Sequence, residues 1–133
     1  LGLAFKPYTD DIRFAPAIDL IKALEGEGVR LKAYDPEAME RAASVLPGVE
    51  LCRSADEVAE GVDALVVATE WPEFKKLDWQ KLLERMGRPL VLDCRNLLDA
   101  ETMTSLGYEY YCVGRPERDP EAPASRTEAA SRK

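Results

Sequence analysis

The stretch DALVVAT, Asp63 to Thr69, runs through four consecutive apolar residues, Ala64 to Val67, before Ala68 and Thr69. A strand that is apolar on both alternating faces has to be covered on both sides, which is the situation of a central strand in a parallel sheet. Around it the chain alternates strand-like and helix-like segments. Leu1 to Phe5 is a short apolar strand, and Pro16 then opens an amphipathic helix with Ala17, Leu20, Ile21 and Leu24 at i, i+3, i+4, i+7, stopped by Gly26 or Gly28. Val29 to Asp35 alternates as a second strand. Met39, Ala42, Ala43 and Leu46 repeat the helical spacing until Pro47-Gly48, and Val49 to Cys52 is a third short strand.

Ser54 and Glu57 have the spacing of a capping box opening a brief helix to about Gly61. After the central strand, Asp78 caps a helix with Trp79, Leu82, Leu83 and Met86 on one face. Pro89 to Cys94 is the next strand, Asp99 caps a helix ending at Gly107, and Tyr108 to Val113 is the last strand. Alternation with short connections predicts right-handed crossovers. The expected fold is α/β, a doubly wound (Rossmann-like) parallel sheet of five to six strands flanked by helices, in the order 3-2-1-4-5-6.

A chain of 133 residues suits one domain with a sizeable core. Residues 1–115 are expected to form it. From Arg115 onward there is no Val, Ile, Leu, Phe, Tyr or Trp, so 116–133 reads as a charged tail with too little apolar surface to order itself. The net charge of −7 argues against a general nucleic-acid binder, which needs a basic face. Three widely spaced cysteines and no histidine make a zinc site or disulfide framework a poor fit, and point to a reducing, cytoplasmic setting. No apolar run approaches the roughly 20 residues of a membrane span. The chain begins at Leu1, inside a predicted strand, and is expected to be a fragment of something longer.

In the expected strand order, the crevice at the switch point is lined by whatever follows Phe5 and Ala68. Those loops carry Lys6, Arg13, Thr69, Glu70 and Trp71, and the neighbouring strand delivers Asp93, Arg95 and Asn96. Two arginines and a lysine on one rim can clamp phosphates, arginine as a planar fork and lysine as a point charge. The loop after the first strand is KPYTDDIRFAP rather than G-x-G-x-x-G, so a ligand would be held by side chains more than by a glycine nest. Each residue also has a plainer reading. Lys6 could be an ordinary surface lysine, Arg13 could pair with Asp10 or Asp11, and Arg95 could pair with Asp93. Phe5 fits a partly buried side chain, Trp71 and Phe74 fit either a packed loop anchor or a stacking platform, and Asp35 stands where a ribose-binding acid would.

The segment FKPYTDDIRFAPA resembles the opening of the C-terminal, nucleotide-sugar-binding domain of UDP-glucose 6-dehydrogenases, whose pattern is close to G-L-A-F-K-x-x-T-x-D-x-R-x-x-P/S. The likeness continues in order through AYDPEAM, VVATEWPEF, LDCRNLLD and GYEYYCVGRP, over about 115 residues. In that family a UDP-sugar is oxidised twice by NAD, through a thiohemiacetal on a cysteine, to the uronate. The resemblance implies that Phe5 and Lys6 contact the UDP-sugar, that Arg13 reaches NAD bound mainly by another domain, and that Arg95 is a further substrate contact. Cys94 stands where the family's D-G-R block has glycine. The G-G-S-C-F-P-K-D segment with the family's nucleophile is missing, as are the N-terminal NAD domain and the central helix. The fragment is therefore expected to be inactive alone, its parent a homo-oligomer. Two alternatives stay open: the same domain of a GDP-mannose or UDP-N-acetylhexosamine dehydrogenase, or a non-catalytic α/β interaction module.

Overall fold

The structure is a computed structural model that describes residues 1–13 and 15–113. Helix α1 (Pro16–Gly26) leads into β1 (Lys32–Ala33), α2 (Met39–Val45) and β2 (Glu50–Leu51). Then follow α3 (Ala55–Ala59), β3 (Leu65–Val67), α4 (Pro72–Lys75), α5 (Trp79–Arg85), β4 (Leu90–Asp93), α6 (Ala100–Leu106) and β5 (Glu109–Cys112). All strand pairs are parallel: β1 with β2 through Ala33 and Leu51, β3 with β4 through Val66 and Leu92, and β4 with β5 through Leu92 and Tyr111.

The two-stranded and three-stranded sheets are joined by the first residues of the chain. Gly2 N donates to Tyr34 O at 2.8 Å, Leu1 N donates to Val66 O at 2.6 Å, and Ala68 N donates to Leu1 O at 2.8 Å. Leu1 to Leu3 thus lies between β1 and β3, in keeping with the doubly wound order 3-2-1-4-5-6. It is not a regular strand along its predicted length, and the reason is chemical. After Gly2, at φ +94°, the amides of Leu3 and Ala4 turn from the ladder and donate to the Asp35 carboxylate at 2.7 and 3.0 Å.

Gly2 is required there twice over. A Cβ at this position would lie 2.6 Å from Thr69 Cβ, and the positive φ already disfavours any L side chain. The close approach lets the buried Thr69 hydroxyl donate to Ala4 O at 2.7 Å, stitching the first segment to the exit of β3.

Two apolar clusters form the interior. One gathers Val67, Phe74, Trp79, Leu82, Val91 and Met103 between the three-stranded sheet and its helices. The other gathers Leu3, Ile18, Ile21, Ala33, Ala42 and Leu46 around β1 and the first two helices. The buried stripe of α1 is Ala17, Ile18 and Ile21, so Ile18 takes the inward place predicted for Leu20, which is 37% exposed. Pro16 opens the helix, and the surface offered by Leu3 and Ala4 selects which face turns in. Ala43, also predicted inward, is exposed on α2. Helix α4, unforeseen as a helix, places Phe74 fully inside, with Pro72 at its first turn. Residues 116–133, the predicted tail, lie outside the described residues. Among the described residues no helix is long and apolar enough to cross a membrane.

Candidate nucleotide-sugar rim

Parallel order places the exits of the first segment, β3 and β4 side by side, and Arg95 crosses them. Its Nε donates to Ala68 O at 3.0 Å and its Nη2 to Phe5 O at 3.2 Å, while Glu70 lies 3.4 Å from Nη1. Phe5 O belongs to the peptide that joins Phe5 to Lys6. Arg95 and the Lys6 backbone therefore share one rim, as a common diphosphate site requires. The Arg95 side chain keeps 25% of its surface exposed, so the fork is fixed by main chain yet still reachable.

The loop that delivers Arg95 is held by Asp93, buried at the end of β4. Its carboxylate accepts from Arg95 N at 3.0 Å, Leu98 N at 2.8 Å and the Tyr110 hydroxyl at 2.7 Å. The plain ion-pair reading of Arg95 with Asp93 is thus replaced by a backbone bond; the guanidinium itself points across the sheet. Next to it, Asn96 takes a left-handed φ of 55°, a conformation asparagine tolerates.

Phe5 is 46% exposed, more than a partly buried core residue, and its tie to the fold is through the backbone: Phe5 N donates to Asp11 O at 2.7 Å. Lys6 is exposed, and among the described residues no carboxylate pairs with it. Arg13 is 82% exposed and turns back on Asp11, with Nε and Nη2 donating to the two carboxylate oxygens at 3.1 and 3.0 Å. That pair, together with the Arg13 amide, holds the Asp11 carboxyl down at about 2. Asp10 is taken by Arg41 of α2 at 2.7 Å, which pins the loop from its other side. The rim thus brings together Phe5, Lys6 and Arg95, while Arg13 stands further along the loop.

Asp35 does not have the free carboxylate of a ribose-binding acid. It is fully buried, and besides Leu3 N and Ala4 N it accepts from Trp71 Nε1 at 3.1 Å, Glu37 N at 2.8 Å and Ala38 N at 2.9 Å. Trp71, 5% exposed, is accordingly a packed anchor. The residue the sequence reading passed over is Tyr8. It is 78% exposed, has φ +65°, and sets its ring edge-on to Trp71 with centroids 5.4 Å apart. No sequence pattern marks a left-handed tyrosine.

Cys52 and Cys94 offer no activated sulfur. Burial, and then the neighbouring Asp93, push the Cys94 thiol up, with Arg95 opposing; burial and Glu50 do the same to Cys52. Among the described residues no group of three His, Cys, Asp or Glu side chains is placed to hold a metal ion.

Known proteins resemble this chain in sequence and in fold. Residues 1–100 match the UDP binding domain of the UDP-glucose/GDP-mannose dehydrogenase family. A UDP-glucose 6-dehydrogenase of Rhizobium meliloti is 44% identical over 117 residues, covering 88% of this chain and 27% of that protein. One from Bacillus subtilis is 42% identical over 117 residues, covering 87% of this chain and 25% of its own. Among solved structures, a UDP-D-ManNAc dehydrogenase from Pyrococcus horikoshii superposes with TM-score 0.67 at 29% identity, over 85% of this chain and 24% of that one. A UDP-glucose dehydrogenase from Pyrobaculum islandicum gives TM-score 0.60 at 34% identity, over 69% and 20%. The chain therefore spans about a quarter of the length of the curated relatives it matches. With that match over most of its length, on an α/β fold that gathers the rim cations where a parallel sheet binds ligands, the chain belongs to the UDP-glucose/GDP-mannose dehydrogenase family.

Proposed function

We propose that this chain is the C-terminal, UDP-sugar-binding part of an NAD-dependent UDP-glucose 6-dehydrogenase, which converts UDP-glucose to UDP-glucuronate. The observation that carries the reading is the Arg95 fork riveted across Phe5 O and Ala68 O beside Lys6. Arg95 and Lys6 bind the diphosphate, and Phe5 borders the sugar. The fork is pre-aligned, so its contact with phosphate costs little further ordering. NAD, held mainly by another domain, supplies the hydride acceptor. Arg13 suits a cofactor contact because its guanidinium is exposed at the outer end of the loop and is oriented by Asp11.

The domain binds and orients; it does not transfer hydride or form the thiohemiacetal. The thiols of Cys52 and Cys94 are pushed up rather than down, and the family's nucleophile segment is not among the 133 residues, so the chain alone turns over nothing. The parent is a cytoplasmic homo-oligomer.

Calorimetric titration with UDP, UDP-glucose and GDP-mannose tests the ligand class. Selective uridine binding is expected; a preference for guanosine would reassign the chain to the GDP-mannose branch. In the full-length enzyme, Lys6→Ala should lower kcat/KM by about 1.5–3 kcal/mol of transition-state binding, the usual worth of a charge-assisted bond. An unchanged kcat/KM would remove Lys6 from the site.

A further inference from the structure

We propose that Tyr8 is the wall on which the nucleobase of the bound nucleotide stacks, a role that rests on the reading of this rim as a nucleotide-sugar site. Among the described residues, the non-glycine positions with positive φ are Tyr8 and Asn96, and both follow rim cations, Lys6 and Arg95. Asparagine accepts that conformation readily; tyrosine does not, and a residue held against its preference marks a place where the side chain is needed.

What the strain achieves is visible in the ring. Tyr8 leaves 78% of its surface to solvent, while the ring contact with Trp71 fixes its orientation. Trp71 is itself immobilised by the Asp35 carboxylate at 3.1 Å. The platform is therefore rigid underneath and open above, as stacking on a flat heterocycle requires.

Its position matches the ligand's dimensions. Arg95 bridges the first segment and the β3 exit at Phe5 and Ala68; the Tyr8–Trp71 pair bridges the same two segments three residues further along each. Tyr8 lies two positions beyond Lys6, at most about 7 Å of extended chain, which is the scale separating a diphosphate from its base across a ribose. A diphosphate on Lys6 and Arg95 leaves the base within reach of Tyr8.

The test uses the full-length enzyme carrying Tyr8→Asn, which suits the left-handed backbone and removes the ring. Tyr8→Gly serves as a second ring-free variant and Tyr8→Phe as the ring-retaining control. UDP and inorganic pyrophosphate are titrated separately. Loss of the ring should raise the Kd for UDP about tenfold and leave that for pyrophosphate unchanged, with Tyr8→Phe like the parent. UDP affinity in Tyr8→Asn and Tyr8→Gly equal to the parent's overturns the proposal, as does a parallel loss of pyrophosphate, which would mean a displaced loop. If the parent enzyme binds no UDP, the assignment of the rim falls with it; if it binds UDP and the ring-free variants bind equally well, only the role of Tyr8 falls.

Discussion

Arg95 reaches over the sheet to main-chain carbonyls of two strand exits, Phe5 and Ala68, whereas Arg13 turns onto Asp11, two residues before it in the same loop. One cation has its place set by the fold; the other has its place set by its own loop. A guanidinium tied to two backbone segments is preorganised, while one tied to an exposed neighbour is free to exchange that partner for an incoming anion. The inner half of the rim should therefore couple binding to stability, and the outer half should not.

The sharpest way to break that comparison is at Asp35, which supports the inner half. Asp35→Ala strands five donors, three of them in the first segment and Trp71, and should cost roughly 3–5 kcal/mol in urea denaturation. A loss under about 1 kcal/mol would show the inner half to be no more built in than the outer. Gly2→Ala adds a Cβ within 2.6 Å of Thr69 at φ +94° and should cost about 2–4 kcal/mol by the same measurement. Arg95→Ala should lower kcat/KM of the full-length enzyme by about 1.5–3 kcal/mol. Arg95→Lys should recover little of it, because an ammonium cannot span both carbonyls.

The outer half yields the smallest effect. Asp11, held at about 2 against an ordinary 3.8, favours the folded loop above pH 3.8, and that contribution fades as pH falls through about 2. NMR titration of its carboxyl should find a midpoint near 2, returning toward 3.8 in Arg13→Ala with no change in the folding transition at neutral pH. A destabilised Arg13→Ala would place this arginine with Arg95 after all.

Much of the frame was readable because it rests on local chemistry. Ser54, Asp78 and Asp99 cap their helices by accepting from the amides three residues on, and Gly107 ends α6 at φ +108°. Alternation pointed to a doubly wound parallel sheet, and the order 3-2-1-4-5-6 assumed for such a sheet is the one that places the first segment between β1 and β3. What escaped is what depends on distant partners. Ile18 rather than Leu20 faces inward because of what α1 packs against, and α4 hid inside a segment too short to show a period. The same holds for the site. Phe5, Lys6 and Arg95 could be placed on one rim from topology, but the acceptors of Arg95 are carbonyls, which every residue has, so no motif announces them. Asp35 resembled a ligand-binding acid because sequence shows the carboxylate and not the five donors that saturate it.

Saturating that one acid has a thermodynamic corollary. Asp35 accepts from Leu3 and Ala4, which belong to one apolar cluster, and from Trp71, which belongs to the other. Withdrawing either cluster from Asp35 orphans at least one buried donor, so amide protons in β1 and β5 should exchange through a single shared opening rather than as independent subglobal units.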